Sequence, residues 1–510
     1  MYRSLPCLIG VDVGTTNVKA GAFTPEGEAL VAASAELRVD RPKPGWASYS
    51  PADLWNQTVR VLVEVSRGLA GRFEPVAIAV SSMAETAVAV DAHGAPLYQA
   101  IAWFDSRTTE QAEWWAKTVG PEFIFARTGL PILPIFGINK LGWIKQHEPE
   151  IFSRISRWLN VSDYINFCLC GIQAAELSLA SRIMALDLRT RRWSEEILDV
   201  AGVSPSILGE PVPSGQVLGR LTSEAARLTE LPAGVQVVTG GHDHPCAALG
   251  SGVYGTGLVL DSLGTSESLL IVLDSPVLEP RAAQFGFAQG CHVLRDQFLC
   301  FGGLVTAGAA IDWARKIFFP DIPREEAYRR FEELAARSEP GSGGVYFMPS
   351  LRAASPPHND AYSRGTFVGL SSDSSLADLA RSVFEGLGYA AYDGLKAIKS
   401  LSRVEIKKVR AVGGPTRNRL LMEIKAALTD LPLSVAEIEE ASCRGAAILA
   451  GMGAEIYKSI QEVKQQLELR EAAVAAPAGW PQIYHQRFET VYRHIYSSVR
   501  DLHQRIARSA

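Results

Sequence analysis

The chain has 510 residues, too many for one hydrophobic core, so a scale of roughly 100–200 residues per domain points to several domains. Its 47% hydrophobic and 21% charged residues, with mean hydropathy near zero, exclude a disordered or fibrous chain. The 50 basic and 55 acidic residues leave a net charge of -5, which gives no electrostatic footprint for nucleic acid, and the nearest basic cluster, Arg189, Arg191 and Arg192, reads as a solvated turn. Seven cysteines, an odd count with no CxxC pair, argue against a disulfide framework. Residues 1–6 lead into a strand-like segment without a signal core, and no apolar run reaches the roughly 18 residues of a membrane helix. A cytoplasmic protein with neither a membrane nor a nucleic-acid partner is expected.

In chain order, LIGVDVGTTNVKAGAF (residues 8–23) sets apolar residues around a GTT turn and reads as a β-hairpin with a small, hydroxylated tip. Residues 51–69 carry Leu54, Val61, Leu62 and Val65 at helical spacing. Residues 76–83 and 235–241 read as strands, and GSGVYGTG (250–257) as a glycine-rich hinge. A second hairpin, GLVLDSLGTSESLLIVL (257–273), repeats the first, with Gly264, Thr265 and Ser266 set against Gly14, Thr15 and Thr16. Beyond it lie a long amphipathic helix (376–398), a strand (409–414), a helix from about Asn418 to Leu428, and a closing helix with Tyr484, Phe488, Tyr492 and Tyr496 on one stripe. This order predicts an α/β fold in two related halves, 1–254 and 255–510.

The hairpin tips offer backbone N–H groups and hydroxyls to phosphate oxygens without bulky side chains in the way. Asp12 precedes the first turn and Ser262 the second, so a single carboxylate stands beside a phosphate-sized loop, as Mg²⁺ requires. Lys19 fits a solvated strand position better than a phosphate contact. In TGGHDHPCAALGSG (239–252), Asp243 sits at a strand-to-helix corner. It is either a helix cap or a carboxylate at the C-terminal edge of a sheet, where α/β proteins bind ligands. His242 and His244 flank it, and two histidines around one aspartate lack the further ligands of a zinc site. WFDSRT (103–108) follows strand-like APLYQAIA. It supplies Trp103 as a stacking face and Asp105 and Arg107 as hydrogen-bonding groups for a hydroxylated ligand, or as a local ion pair. Glu85 ends a strand and can share that pocket.

Taken together, LIGVDVGTTNVKAGAF, WFDSRT, GGHDH, LDSLGTSES and AVGGPTRNRL resemble the FGGY carbohydrate kinases in order and spacing, from Leu8 to about Gly453. GTFVGLSSDSSLADLARSVFE (365–385) fits the family's C-terminal signature, and INKLGWIKQH (138–147) its N-terminal one, with Gly137 where Pro, Ser or Thr is usual. The resemblance implies two actin-like domains closing over a cleft, with ATP held mainly by the second. Gly14, Thr15 and Thr16 then match the first phosphate loop and Asp12 the acidic residue near Mg²⁺. Gly264, Thr265 and Gly308 match further nucleotide contacts, Gly414 and Asn418 the turn beside the adenosine, and Asp243 the catalytic base. Glu85, Trp103, Asp105 and His244 fall with the sugar site. Glu85 stands where glycerol kinases also have glutamate and xylulokinases histidine, yet Ala84 replaces the arginine of glycerol kinases. A buried Glu85 therefore needs another donor, with His244 or the substrate as candidates.

The implied activity is ATP-dependent phosphorylation of a ketose, a pentulose such as xylulose first, with a polyol, a glycerol-like substrate or a longer ketose as alternatives. A homodimer is among the assemblies left open. A nucleotide switch of the actin or Hsp70 kind would share the hairpins without needing WFDSRT or Asp243. A silent sugar sensor would not need both Asp12 and Asp243.

Overall fold

The computed structural model describes residues 5–509 except 70, 403 and 468. Two sheets carry the two halves. In the first, Val217–Arg220, Gln236–His242, Phe73–Ser82, Leu5–Val13, Asn17–Phe23 and Ala29–Glu36 lie side by side. Leu5–Val13 pairs antiparallel with Asn17–Phe23 and parallel with Phe73–Ser82, which pairs parallel with Gln236–His242. The second sheet repeats this plan. Leu258–Leu263 pairs antiparallel with Glu267–Leu273 and parallel with Lys408–Val412, which pairs parallel with Leu433–Ala436. An outer antiparallel strand closes each series, Val217–Arg220 in one and Glu471–Val474 in the other. The duplication expected from the two hairpins is thus a duplication of whole sheets, in the actin-like arrangement.

The central strand explains why both faces of the first sheet are buried. Cys7, Ile9, Val11 and Val13 face one core, where Leu54, Val61, Leu62 and Val65 of the helix Pro51–Leu69 pack against them. Leu8 faces the other core with Ala77, Ala79 and Val238, covered by Ala446, Ala447 and Ala450. These alanines belong to the helix Ala441–Gly453, which comes from the second half of the sequence but lies on the first sheet. The same helix packs on the helix Asp243–Gly250. Glycine makes that approach feasible: a Cβ at Gly445 would overlap the Cys246 carbonyl, and one at Gly250 the Ala441 carbonyl.

Three elements differ from expectation. The closing aromatic stripe does not lie on one regular helix: Trp480–Arg487 and Arg493–Ser509 are joined by a π-helical turn, Phe488–Tyr492. The extra residue in that turn keeps Tyr484, Phe488 and Tyr492 against Tyr389. The long helix runs to Ser402, four residues beyond its expected end. The segment before Trp103 contributes only the two-residue strand Ala100–Ile101, paired with Ser48–Tyr49. Among the described residues no helix is long and apolar enough to cross a membrane, and all seven cysteines are unpaired.

Gly445→Val is expected to destabilise the protein by about 1–3 kcal/mol, because backbone rather than a flexible side chain occupies the space. Chemical denaturation monitored by tryptophan fluorescence checks this; an unchanged midpoint would show that the two helices can separate freely.

Candidate active site

Asp243 is the first residue of the helix Asp243–Gly250, directly after the strand Gln236–His242. Its carboxylate does not cap the helix by reaching the next turn. Oδ1 accepts the His244 N–H at 2.7 Å and lies 3.1 Å from His242 Nε2. Burial works to raise its pKa, but the His244 and His242 imidazoles and the His244 N–H outweigh burial and hold it below the usual carboxylate range. Asp243, His244 and Ala247 line a cavity of about 160 Å³ together with Ser442 and with Leu260, Ser262, Ser268 and Leu270 of the second hairpin. The residue at the head of a first-half helix thus shares a cavity with the strands of the second hairpin.

Asp12 lies on the strand Leu5–Val13, separated from Gln236–His242 by Phe73–Ser82, whose Ser81 Oγ donates to Asp12 Oδ1 at 2.7 Å. Burial, then the negative charge of Asp243, push its carboxyl up to about 7. Two carboxylates held this close with so little compensating positive charge fit a divalent cation, which takes one or two carboxylates along with water and phosphate oxygens. Lys19, across the hairpin from Asp12, is committed to Glu440 at 2.8 Å, a contact between the two halves.

The first turn is tight, with the Gly14 N–H donating to Asn17 O at 3.0 Å. Thr15 receives two outside bonds, from Tyr49 Oη to its carbonyl and from Trp103 Nε1 to its hydroxyl at 3.0 Å. The second turn meets the helix Gly308–Phe318: the N–H groups of Ala307 and Ala309 donate to Thr265 O, and that of Gly308 to Gly264 O. Pro415 packs on the Gly308 position, and the next strand-to-helix turn begins with Gly413 against the Leu263 carbonyl. Asn418 caps the helix Arg419–Leu428, accepting the Leu421 N–H at 2.7 Å. Gly264, Thr265, Gly308 and Gly414 therefore cluster at one edge of the second sheet, and Asn418 starts the helix behind them.

Below this edge is a buried charge group that the sequence did not reveal. Lys425 Nζ donates to Asp261 at 2.6 Å and Glu267 at 2.8 Å, on the two strands of the second hairpin. Burial and the Asp261 charge raise Glu267 to about 8.

On the first-half side, Trp103 is partly exposed beside Thr15 and packs edge-on against Phe104. Glu85 is buried, has a left-handed backbone (φ 60°), and its carbonyl accepts from the buried Lys140 Nζ. The donor that takes the place of the arginine missing at Ala84 is Arg182, not His244, and its Nε donates to Glu85 Oε1 at 2.6 Å. Burial pulls the Lys140 ammonium down to about 7.

Asp105 requires a correction. Its side chain is fully enclosed: Arg107 donates to both oxygens, and Oδ2 also accepts the Ala47 N–H. The Arg107 guanidinium in turn lies 3.9 Å from the Trp46 ring centroid. A carboxylate so fully engaged organises the loop and has no oxygen left for a ligand.

The profile of the FGGY family of carbohydrate kinases matches twice, its N-terminal domain over residues 7–250 and its C-terminal domain over 259–454. Paired hairpin turns on twinned sheets, with carboxylates between them, define a phosphotransferase of the sugar-kinase class. The chain belongs to the FGGY family of carbohydrate kinases and is an ATP-dependent sugar kinase. It is 28% identical over 496 residues to the xylulose kinase of Staphylococcus epidermidis, covering 97% of each chain. It is 30% identical over 458 residues to the glycerol kinase of Citrifermentans bemidjiense, covering 88% of this chain and 90% of that one. The crystal structure of xylulose kinase from Rhodospirillum rubrum superposes with a TM-score of 0.90 at 26% identity, over 98% of this chain and all of the other.

Two outcomes follow from these placements. Asp105→Asn leaves buried Arg107 without its counter-charge and is expected to cost about 3–5 kcal/mol of stability, with acceptor KM unchanged in the folded fraction; a selective rise in KM would return Asp105 to the binding site. Asp12 has a raised pKa in the fold, so its contribution to stability is present below about 4 and is lost as pH rises through about 7. Asp12→Asn should therefore raise the melting temperature of the metal-free protein at pH 8, with the gain vanishing near pH 4. Melting curves in a chelator read this directly, and equal midpoints at pH 8 would contradict it.

Proposed function

We propose that the protein transfers the γ-phosphoryl group of ATP to a hydroxyl of a ketose, a pentulose such as xylulose, with Asp243 as the general base. The observation that carries this reading is the cavity in which ionised Asp243 faces the second hairpin. A base must lie between the acceptor and the phosphates, and Asp243 occupies the seam between the two halves. Long, near-complete similarity to proteins named xylulose kinase supports the pentulose. The Glu85 carboxylate favours a second reading, a polyol or glycerol-like acceptor, because that position carries glutamate in the glycerol kinases the sequence resembles.

In this reading Trp103, Glu85 and His244 bind and orient the acceptor, and Asp243 takes the proton of the attacking hydroxyl. The turns Gly14–Thr15–Thr16 and Gly264–Thr265 hold phosphate oxygens from opposite sides through backbone N–H groups and hydroxyls. Gly308, Gly414 and Asn418 support the nucleotide at the edge of the second sheet. Asp12, with Asp243 nearby, would hold Mg²⁺, which supplies neutralisation of the phosphate charge when bound. Closure of the halves excludes water, the competing acceptor. The reaction belongs in the cytoplasm, where ATP is abundant and thiols stay reduced.

ADP release from MgATP, measured over a panel of ketopentoses, ketohexoses, tetruloses, glycerol and pentitols, is expected to rise most with a pentulose. Asp243→Asn should lower that acceptor-dependent turnover by about 10²–10⁴-fold while ATP still binds. Turnover near the wild-type rate in this variant would remove Asp243 from the role of base.

A further inference from the structure

Glu85 and Arg182 form a unit whose construction exceeds what packing requires. Both are buried, with side-chain exposures of 8% and 5%. Arg182 Nε and Nη2 converge on one carboxylate oxygen, Oε1, while Oε2 accepts no hydrogen bond from any described residue. Nη1 of Arg182 is buried and has no partner among the described residues. A guanidinium carries five N–H donors in a rigid fork, and leaving some of them unmatched in a buried site is costly. Glu85 adds a second cost, since a left-handed backbone at a residue with a side chain is strained and persists only when its surroundings hold it. Lys140 holds it by donating to the Glu85 carbonyl.

The unit also lies beside the proposed base. The Phe301 ring, from the second sheet, is 4.9 Å from the Arg182 guanidinium and 5.4 Å from the His244 ring, both of the first half. Phe136 lies 5.0 Å from the same guanidinium. Arg182 is thereby fixed between two aromatic rings and shares one of them with the imidazole that adjoins Asp243.

We infer that Arg182 is a specificity-determining contact of the acceptor site, its Nη1 donating to an oxygen of the substrate while Glu85 Oε2 accepts from a neighbouring hydroxyl. The pair presents one donor and one acceptor side by side, which matches two adjacent oxygens of a sugar, a ketone or hydroxyl next to a hydroxyl. Its charges cancel internally, and Asp243 contributes a further negative charge nearby. The acceptor is accordingly neutral, and an aldonic acid, whose carboxylate would meet Glu85 and Asp243, is disfavoured. This assignment rests on the sugar-kinase reading with Asp243 as base, and it names a residue outside the segments that first suggested the sugar pocket.

Steady-state kinetics of wild type and Arg182→Gln with the best ketose, its monodeoxy analogues and the matching aldonic acid test it. Arg182→Gln should raise acceptor KM roughly 10- to 100-fold, the loss of a charged hydrogen-bond donor, with KM for ATP as internal reference. One monodeoxy analogue should lose a similar factor against the parent ketose in the wild type and lose none in Arg182→Gln. A merely structural Arg182 would leave that analogue ratio the same in both proteins, and such a result overturns the assignment. Should Arg182→Gln fail to fold, Arg182→Lys, which keeps the charge opposite Glu85 but not the fork, carries the same comparison with the same outcomes. Efficient turnover of the aldonic acid overturns the neutral acceptor. Absence of turnover with every acceptor on the panel instead overturns the kinase reading, and this assignment with it.

Discussion

The two halves meet where the helix Asp243–Gly250 lies against the helix Ala441–Gly453 with backbone touching backbone. Gly250 and Gly445 each sit where a Cβ would strike a carbonyl of the opposing helix, and Gly10 does the same where the first strand passes Cys443. Such an approach leaves no compliant side chains at the seam, so the helices move as one unit. Since Asp243 heads one of them and Glu440 immediately precedes the other, the seam sets the distance from the proposed base to the second half. The Lys19–Glu440 pair bridges the halves at the same level, beside Asp12. Any opening of the cleft has to pivot about this glycine contact rather than slide along it.

Against this fixed seam the charges fall into two kinds. Arg182 with Glu85, and Lys425 with Asp261 and Glu267, are buried groups compensated by partners far away in sequence, and the local Arg107–Asp105 pair is tied to a distant segment through the Ala47 N–H. They set geometry: a buried ion that loses its partner is expensive, so each group ties two segments together. Asp12 and Asp243 are of the other kind. They raise one another's cost, and the two imidazoles compensate only Asp243. The imbalance left on Asp12 is what a cation would relieve, which is why the metal-free fold is expected to be least favourable at alkaline pH.

Local patterns made the two hairpins, the helix Pro51–Leu69 and the corner at Asp243 legible in the sequence, because turn chemistry and periodicity are properties of neighbouring residues. The helix Ala441–Gly453 carries alanines and glycines whose use, covering the first sheet, depends on contacts hundreds of residues away. Arg182 was missed for a similar reason: it is 97 residues from Glu85, and only its position inside apolar LSLASRIMALDL hinted that a charge was being buried. Lys140 gave the same faint hint inside FGINKLGW. Asp105 went the other way. Its local motif allows either a ligand contact or an ion pair with Arg107, and the choice is made by the Ala47 N–H, 58 residues earlier, which bonds Asp105, and by the Trp46 ring, which packs on Arg107.

The remaining constraint is competition with water, the acceptor present in greatest excess. Phe301 approaches Arg182, His242 and His244 from the second half, so the pocket around the proposed base has its full lining only when the halves meet. Trp103, on the other side, is bonded to the hydroxyl of Thr15 in the first hairpin turn. On the proposed mechanism, an acceptor packing on Trp103 would act on the same turn that is proposed to grip the phosphates, while one filling the space beneath Phe301 would stabilise the closed arrangement. Water can do neither. In the proposed mechanism a sugar held at both points would complete the site, so that discrimination against hydrolysis would lie in closure itself rather than in the chemistry of Asp243.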